Sequence, residues 1–222
     1  MSITVVCAVM NRFDVLRVSL MSWLKFREIS RIIVVDWSSS DFSDDFIKFV
    51  CLLDNRIEFK RVDTKDIFHM AGAYNLAVSM VDTEFVLKLD ADIILNPYFN
   101  FFDIHKLGAG EFITGDWQWG SLDNQLGFLK YLNGFLYIKT NDFRAIGGYD
   151  ERYVNYSYED TDLYDRLARY GFTHRLLDVH KLSVYHNPHN DDMRVMNFVE
   201  KDIKRSLLRN CDMFKSNRSI VL

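Results

Sequence analysis

Phe85-Val86-Leu87-Lys88-Leu89-Asp90-Ala91-Asp92 is a short, mostly apolar segment that ends on two carboxylates. Its length and lack of helical spacing predict a strand over 85–89, with Asp90-Ala91-Asp92 at the strand's end. Immediately upstream, Ala71 to Met80 predicts a helix, and Ile57 to Val62 before it a strand. A strand reached from another strand through a helix is the repeating unit of a parallel sheet. The alternation continues backwards. Asp44 to Leu53 predicts a helix, Ile32 to Val35 a buried strand ending at Asp36, and the turn-like Ser38-Ser39-Ser40-Asp41 lies between them. From Phe13 to Phe26, apolar Val15, Leu16, Leu20, Trp23 and Leu24 fall near helical spacing. Ile3 to Met10 is almost continuously apolar and rich in β-branched residues, the pattern of a central strand covered on both faces. The expected class is therefore α/β, with a mixed, mainly parallel sheet flanked by helices.

Downstream of Asp92 the rhythm is less regular. Gly134 to Ile138 predicts a strand, Asn141 to Ile146 a short helix, and Gly147-Gly148 a break. A longer helix is expected from Glu159 to about Tyr170, capped by Gly171, with Leu163 and Leu167 on its buried face. Ser183-Val184-Tyr185 is strand-like, and Asp191 to Arg209 predicts a polar terminal helix. There is no internal repeat or low-complexity tract. The 222 residues are expected to form a single domain (1–222), comprising a first half (1–95), a second half (96–190) and a helical extension (191–222).

Composition narrows the functional classes. With 49% hydrophobic and 26% charged residues the chain can bury a core and is not of the disordered class. A net charge of -4 gives no general attraction for nucleic acid. Three dispersed cysteines, Cys7, Cys51 and Cys211, suit neither a disulfide framework nor a structural zinc site, which fits a reducing cytoplasm. No apolar run approaches membrane-spanning length and no signal peptide is expected. The expected location is cytoplasmic, with peripheral contact at the inner face of a membrane left open by the modest basic cluster Lys201, Lys204, Arg205 and Arg209.

Several residues can carry chemistry. In an extended chain Asp90 and Asp92 project to the same side, at the carboxyl end of a parallel strand where ligands bind. A hard divalent cation would offset their repulsion, although a solvated turn explains an isolated Asp-x-Asp as well. Asp36 ends another strand at the same edge, where it can accept hydrogen bonds from a nucleoside or serve as a turn aspartate. His186 and His189 can complete a metal site made of carboxylate and phosphate oxygens, or be polar surface residues. Tyr156-Ser157-Tyr158-Glu159-Asp160-Thr161-Asp162 opens a helix with clustered acids. Acids favour helix starts and Asp162 can pair with Arg166, yet a carboxylate fixed there can also take a proton from a sugar hydroxyl. Trp117, Trp119, Tyr156 and Tyr158 offer flat apolar faces to sugar rings, and aromatic rings equally fill cores.

In order, these motifs resemble the GT-A-fold (Rossmann-like) nucleotide-sugar glycosyltransferases of family 2, with a second half similar to the β-1,4-galactosyltransferase type. Ser2 to Arg12 is similar to the opening strand and loop, and Val34-Val35-Asp36-Trp37-Ser38-Ser39-Ser40-Asp41 to the acidic second loop. Ala73-Tyr74-Asn75-Leu76-Ala77 with Leu89-Asp90-Ala91-Asp92 resembles the helix and Asp-x-Asp pair, and Gly147 to Glu151 with Glu159 to Leu163 the acceptor-side signature. The resemblance implies an inverting, metal-dependent hexosyltransferase that moves sugar from a nucleotide donor, favoured as a UDP-sugar, to a carbohydrate or glycolipid acceptor in surface polysaccharide synthesis. It implies that Asp92, with Asp90 and His186 or His189, holds Mn²⁺ or Mg²⁺. Asp160 would be the general base and Glu159 would position the acceptor. Asp36, Thr4, Asn75 and Asp90 would serve the donor, and the aromatic residues above the acceptor. Trp37 stands where a second acid is common. The alternatives are a retaining transferase, a sugar nucleotidyltransferase of similar fold, or a non-catalytic sugar-nucleotide or glycan-binding module.

Overall fold

The computed structural model describes residues 2–41, 44–64, 67–115, 132–155, 157–187 and 200–219. Its first part alternates β1 (Ile3–Val9), α1 (Phe13–Trp23), β2 (Ile29–Trp37), α2 (Asp44–Leu53), β3 (Ile57–Val62), α3 (Met70–Ser79) and β4 (Phe85–Lys88). The remainder is made of shorter pieces: β5 (Ile93–Leu95), α4 (Phe101–Ile104), β6 (Glu111–Thr114), β7 (Leu136–Lys139), α5 (Thr140–Ala145), α6 (Glu159–Tyr170), β8 (Thr173–Leu176), β9 (Val184–His186) and α7 (Glu200–Ser219). The terminal helix was expected over 191–209. The described helix instead runs ten residues further, and residues 191–199 lie outside the described ones.

Seven strands form one sheet in the order β3-β2-β1-β4-β7-β6-β8. β1 to β4 are mutually parallel, β7 runs against both β4 and β6, and β8 is parallel to β6. This is the mixed, mainly parallel sheet expected. All seven residues of β1 are buried, because helices cover both faces of the sheet. Alternation along the strand divides its side chains. Val5, Cys7 and Val9 pack with Leu16, Leu20 and Trp23 of α1, while Val6 and Ala8 pack with Ala73, Tyr74 and Ala77 of α3. Burying each Val, Leu or Ile in these layers contributes about 1.5–3 kcal/mol. No helix among the described residues is long and apolar enough to cross a membrane.

Two features position a site. First, the chain leaves β1 to build β2 and β3 on one side, then returns to lay β4 on the other. The carboxyl ends of β1 and β4 therefore border a topological switch point, where the diverging loops leave a crevice. Second, β5 and β9 form a separate antiparallel ribbon in which Ile93 lies opposite His186. That pairing carries a residue from the far end of the sequence to the loop after β4.

Candidate active site

Lys88 is the last residue of β4, and its side chain is 2% exposed. With Val86 it faces the layer containing α3 and α6, where an unpaired ammonium would be costly. Its Nζ lies 3.1 Å from Asp160 Oδ1 and 3.1 Å from Asp90 Oδ1, and 4.5 Å from the centre of the Tyr74 ring. Tyr74 donates its hydroxyl to Asp90 Oδ1 at 2.8 Å, and Tyr149 donates to Asp160 Oδ1 at 2.6 Å. One ammonium and two phenols thus join the carboxylate after β4 to the carboxylate that opens α6. Burial alone would lower the Lys88 pKa, but the charges of Asp160 and Asp90 outweigh it and hold the lysine above its ordinary value. Burial raises the carboxyl of Asp160; Lys88 opposes that rise and Asp90 reinforces it.

The backbone admits this contact only because residue 134 is glycine. A Cβ there would sit 2.0 Å from Asp90 Oδ2, closer than any side chain can approach. The segment before α6 is held from the other side by Asn75 of α3. Its Nδ2 donates to the Tyr149 carbonyl and to Glu151 Oε1, both at 2.9 Å, and its Oδ1 accepts from the Tyr149 N–H at 2.9 Å.

Asp90 and Asp92 do not project together from an extended strand. The Ile93 N–H donates to the Asp90 carbonyl at 3.0 Å, closing a turn that gives each carboxylate its own neighbours. Asp92 is 3% exposed, accepts from Arg12 Nη1 at 3.0 Å, and has His186 Nε2 at 3.5 Å. The β5–β9 ribbon produces the last contact, and the Asn187 N–H bound to the Asp92 carbonyl at 2.6 Å extends it. A carboxylate beside an imidazole is a donor set suited to Mn²⁺, and the Arg12 guanidinium shows that the place accepts positive charge. No group of three His, Cys, Asp or Glu side chains among the described residues forms a metal cluster. The pair therefore fits a cation whose remaining ligands are diphosphate oxygens and water.

Asp36 is fully buried at the carboxyl end of β2, beside Val9 of β1. Its oxygens accept from the Ser39 N–H at 3.0 Å and Arg61 Nη1 at 2.7 Å, so it shapes the following loop. Thr4 requires a correction. It lies five residues before the end of β1, about 16 Å from the carboxyl edge at strand rise. Its hydroxyl accepts from Thr83 there at 2.8 Å, which makes it part of the sheet's amino-terminal edge rather than of a donor pocket. Tyr158 is described, with its ring 5.6 Å from Phe214, whereas Trp117, Trp119, Tyr156 and His189 lie outside the described residues. The expected Asp162–Arg166 pair forms at 2.6 Å. Sequence reasoning did not single out Lys88, Arg12, Tyr74, Tyr149 or Arg61. A charged residue at an inward position of the strand Phe85–Lys88 was the available signal for the first.

Residues 4–100 match the family model for glycosyl transferase family 2, and residues 119–190 match the model described as the N-terminal domain of galactosyltransferase. The chain has the GT-A fold. Solved glycosyltransferases share this GT-A architecture at low identity. A mannosyltransferase from Pyrobaculum calidifontis, in complex with GDP-Man and Mn²⁺, superposes with a TM-score of 0.59 at 15% identity, over 80% of this chain and 55% of its own. GalNAc-T7 with UDP, GalNAc and Mn²⁺ gives 0.64 at 14%, over 80% and 42%. Drosophila β1,4-galactosyltransferase 7 with manganese, UDP-Gal and xylobiose gives 0.60 at 13%, over 91% and 79%. The chain spans about half the length of the first two. No curated protein sequence matches it.

Burial first, and the charge of Asp160 second, push the Glu159 carboxyl from 4.5 up to about 8. The folded state then keeps a proton that the unfolded chain releases above about 4.5, so this contribution to stability is full at low pH and is lost as pH rises through about 8. The melting temperature should fall between about pH 5 and pH 8, and Glu159→Gln should flatten that slope. An unchanged slope in Glu159→Gln would place the titrating group elsewhere.

Proposed function

We propose that the chain transfers a sugar, with inversion, from a nucleoside diphosphate donor to a hydroxyl of a carbohydrate or glycolipid acceptor, with UDP-sugars the favoured donors. The observation that carries this reading is the shared Lys88 contact, which brings the acid opening α6 to the carboxyl end of β4. Residues 1–95 serve as the nucleotide-binding half and residues 96–190 as the acceptor-binding half. Asp36 is assigned to the nucleoside through the loop it shapes, and Asp90 and Asn75 to holding the walls of the donor site.

In this reading Asp160 accepts the proton of the attacking hydroxyl. The acceptor oxygen forms its bond to the anomeric carbon from the side opposite the diphosphate. The bond to the diphosphate oxygen breaks, and its electron pair leaves with the nucleotide. Asp92 and His186 would hold Mn²⁺ or Mg²⁺, which when bound supplies positive charge for the departing diphosphate. Glu159, protonated near neutral pH, can donate a hydrogen bond to the acceptor and so orient it. Trp117, Trp119, Tyr156 and Tyr158 are proposed to face the acceptor sugar. Surface polysaccharide assembly at the cytoplasmic side of a membrane is the proposed setting.

Thermal unfolding with UDP, GDP, CDP and dTDP, each with and without Mn²⁺, tests the donor half. At a hundredfold excess over Kd, a ligand binding only the folded state adds about 2.7 kcal/mol. UDP is expected to stabilise the chain only with Mn²⁺, and Asp92→Ala to abolish the shift. A folded protein that responds to none of the four nucleotides would overturn the reading.

A further inference from the structure

Among its described residues, the short segment before α6 contains three other than glycine with left-handed backbone: Asn155 (φ 70°), Ser157 (φ 80°) and Tyr158 (φ 74°). A Cβ disfavours this conformation, least for asparagine and strongly for a residue as bulky as tyrosine. Such geometry persists only where its surroundings dictate it. Asn75 and Gly147-Gly148 fix the chain as far as Glu151, but their described hydrogen bonds do not reach Asn155, Ser157 or Tyr158.

Among the described residues, side-chain contacts that do reach it come from α7. Asn210 is fully buried, and its Nδ2 donates to the Ser157 carbonyl at 3.0 Å and the Val154 carbonyl at 3.3 Å. Its Oδ1 accepts from Arg209 Nη2 at 3.2 Å, which fixes the direction of the amide. One turn earlier, Ser206 Oγ accepts from Asn155 Nδ2 at 3.0 Å, and Arg209 Nη2 also reaches the Val154 carbonyl at 3.2 Å. One turn later, Phe214 packs on the Tyr158 ring. Both family matches end before α7 begins.

We infer that Asn210 is a positioning residue for the acceptor side: it holds Asn155, Ser157 and Tyr158 in the left-handed shape that aims Glu159 and Asp160. The inference rests on the proposed transfer reaction. A base and an attacking hydroxyl work only at hydrogen-bond distance, and a misplacement of about 1 Å costs on the order of a hundredfold in rate. The donor-side residues Asp36, Asn75, Asp90, Asp92 and His186 stand on β2, α3, the turn after β4 and the β5–β9 ribbon, and none of them bonds Asn210. Loosening α7 therefore acts on the acceptor and leaves the donor alone.

The test combines hydrogen exchange with steady-state kinetics on the full chain. Asn210→Ala is expected to speed amide exchange in 152–162 while exchange in β1 stays slow. It should lower kcat/KM for the acceptor roughly tenfold or more, with the KM for the UDP-sugar within about twofold. Ser157→Gly, which adopts the left-handed shape freely, should restore part of the loss in the Asn210→Ala background. Asn210→Asp, of the same size but without the donating N–H groups, should behave like Asn210→Ala and serves if the alanine variant does not fold. Unchanged exchange in 152–162 overturns the inference, as does an equal fall in donor and acceptor parameters. If the wild-type chain binds no nucleotide and transfers nothing, the transfer reading fails and the acceptor role with it. The exchange comparison then still decides whether Asn210 holds the segment.

Discussion

Replacing Lys88 with methionine is expected to destabilise the fold by about 3–5 kcal/mol, the cost of leaving a buried charge without its partner. Methionine conserves the volume and unbranched shape of the side chain, so the change tests charge rather than packing. Without the ammonium, Asp160 keeps only the Tyr149 hydroxyl and Asp90 only that of Tyr74 among the described side chains that bond them. The Asp160 carboxyl then becomes harder to ionise, because Lys88 is the largest influence lowering its pKa. Urea unfolding should show a lower midpoint for Lys88→Met, with a partial return when Asp160→Asn is added to remove one stranded anion. A Lys88→Met protein within about 1 kcal/mol of wild type would show that solvent, not the lysine, neutralises the pair.

Asp160→Asn is expected to lower transfer by roughly 10²- to 10⁴-fold, the usual contribution of a positioned general base. The amide preserves size and can still meet the Tyr149 hydroxyl, so Mn²⁺-dependent UDP binding should be retained. The carboxyl of Glu159 should also become more acidic, since the Asp160 charge is the second cause of its rise. Initial rates and UDP titrations on the same protein separate the two effects. Full transfer by Asp160→Asn would move the base to another residue.

The first half of the fold was legible because its signals are long. β1 and β2 have seven and nine residues, and α1, α2 and α3 each have ten or eleven. β5, β6 and β8 have three or four residues each, too few for a period to emerge, and their identity comes from pairing with distant partners. The site divides in the same way. Asp36, Asp90, Asp92 and the Glu159-Asp160 pair stand at ends of elements that sequence pattern can place. Thr4 was carried with the motif around it, although its position at the start of β1 puts it at the wrong edge. Arg12 and Lys88 gain their meaning from neighbours 80 and 72 residues away, a distance that local pattern does not encode.

The β5–β9 ribbon joins residues about ninety positions apart, His186 being set beside the chain at Ile93. Long-range pairings of this kind form late, because a large loop must close before they return any stabilisation. On the ribosome, β1 to β4 can pair as soon as they emerge, whereas the Asp92–His186 neighbourhood must wait until β9 has been made. Under the proposed metal role, affinity for a divalent cation would report that β9 has been made: nascent chains ending before Val184 would carry Asp92 without the imidazole that faces it.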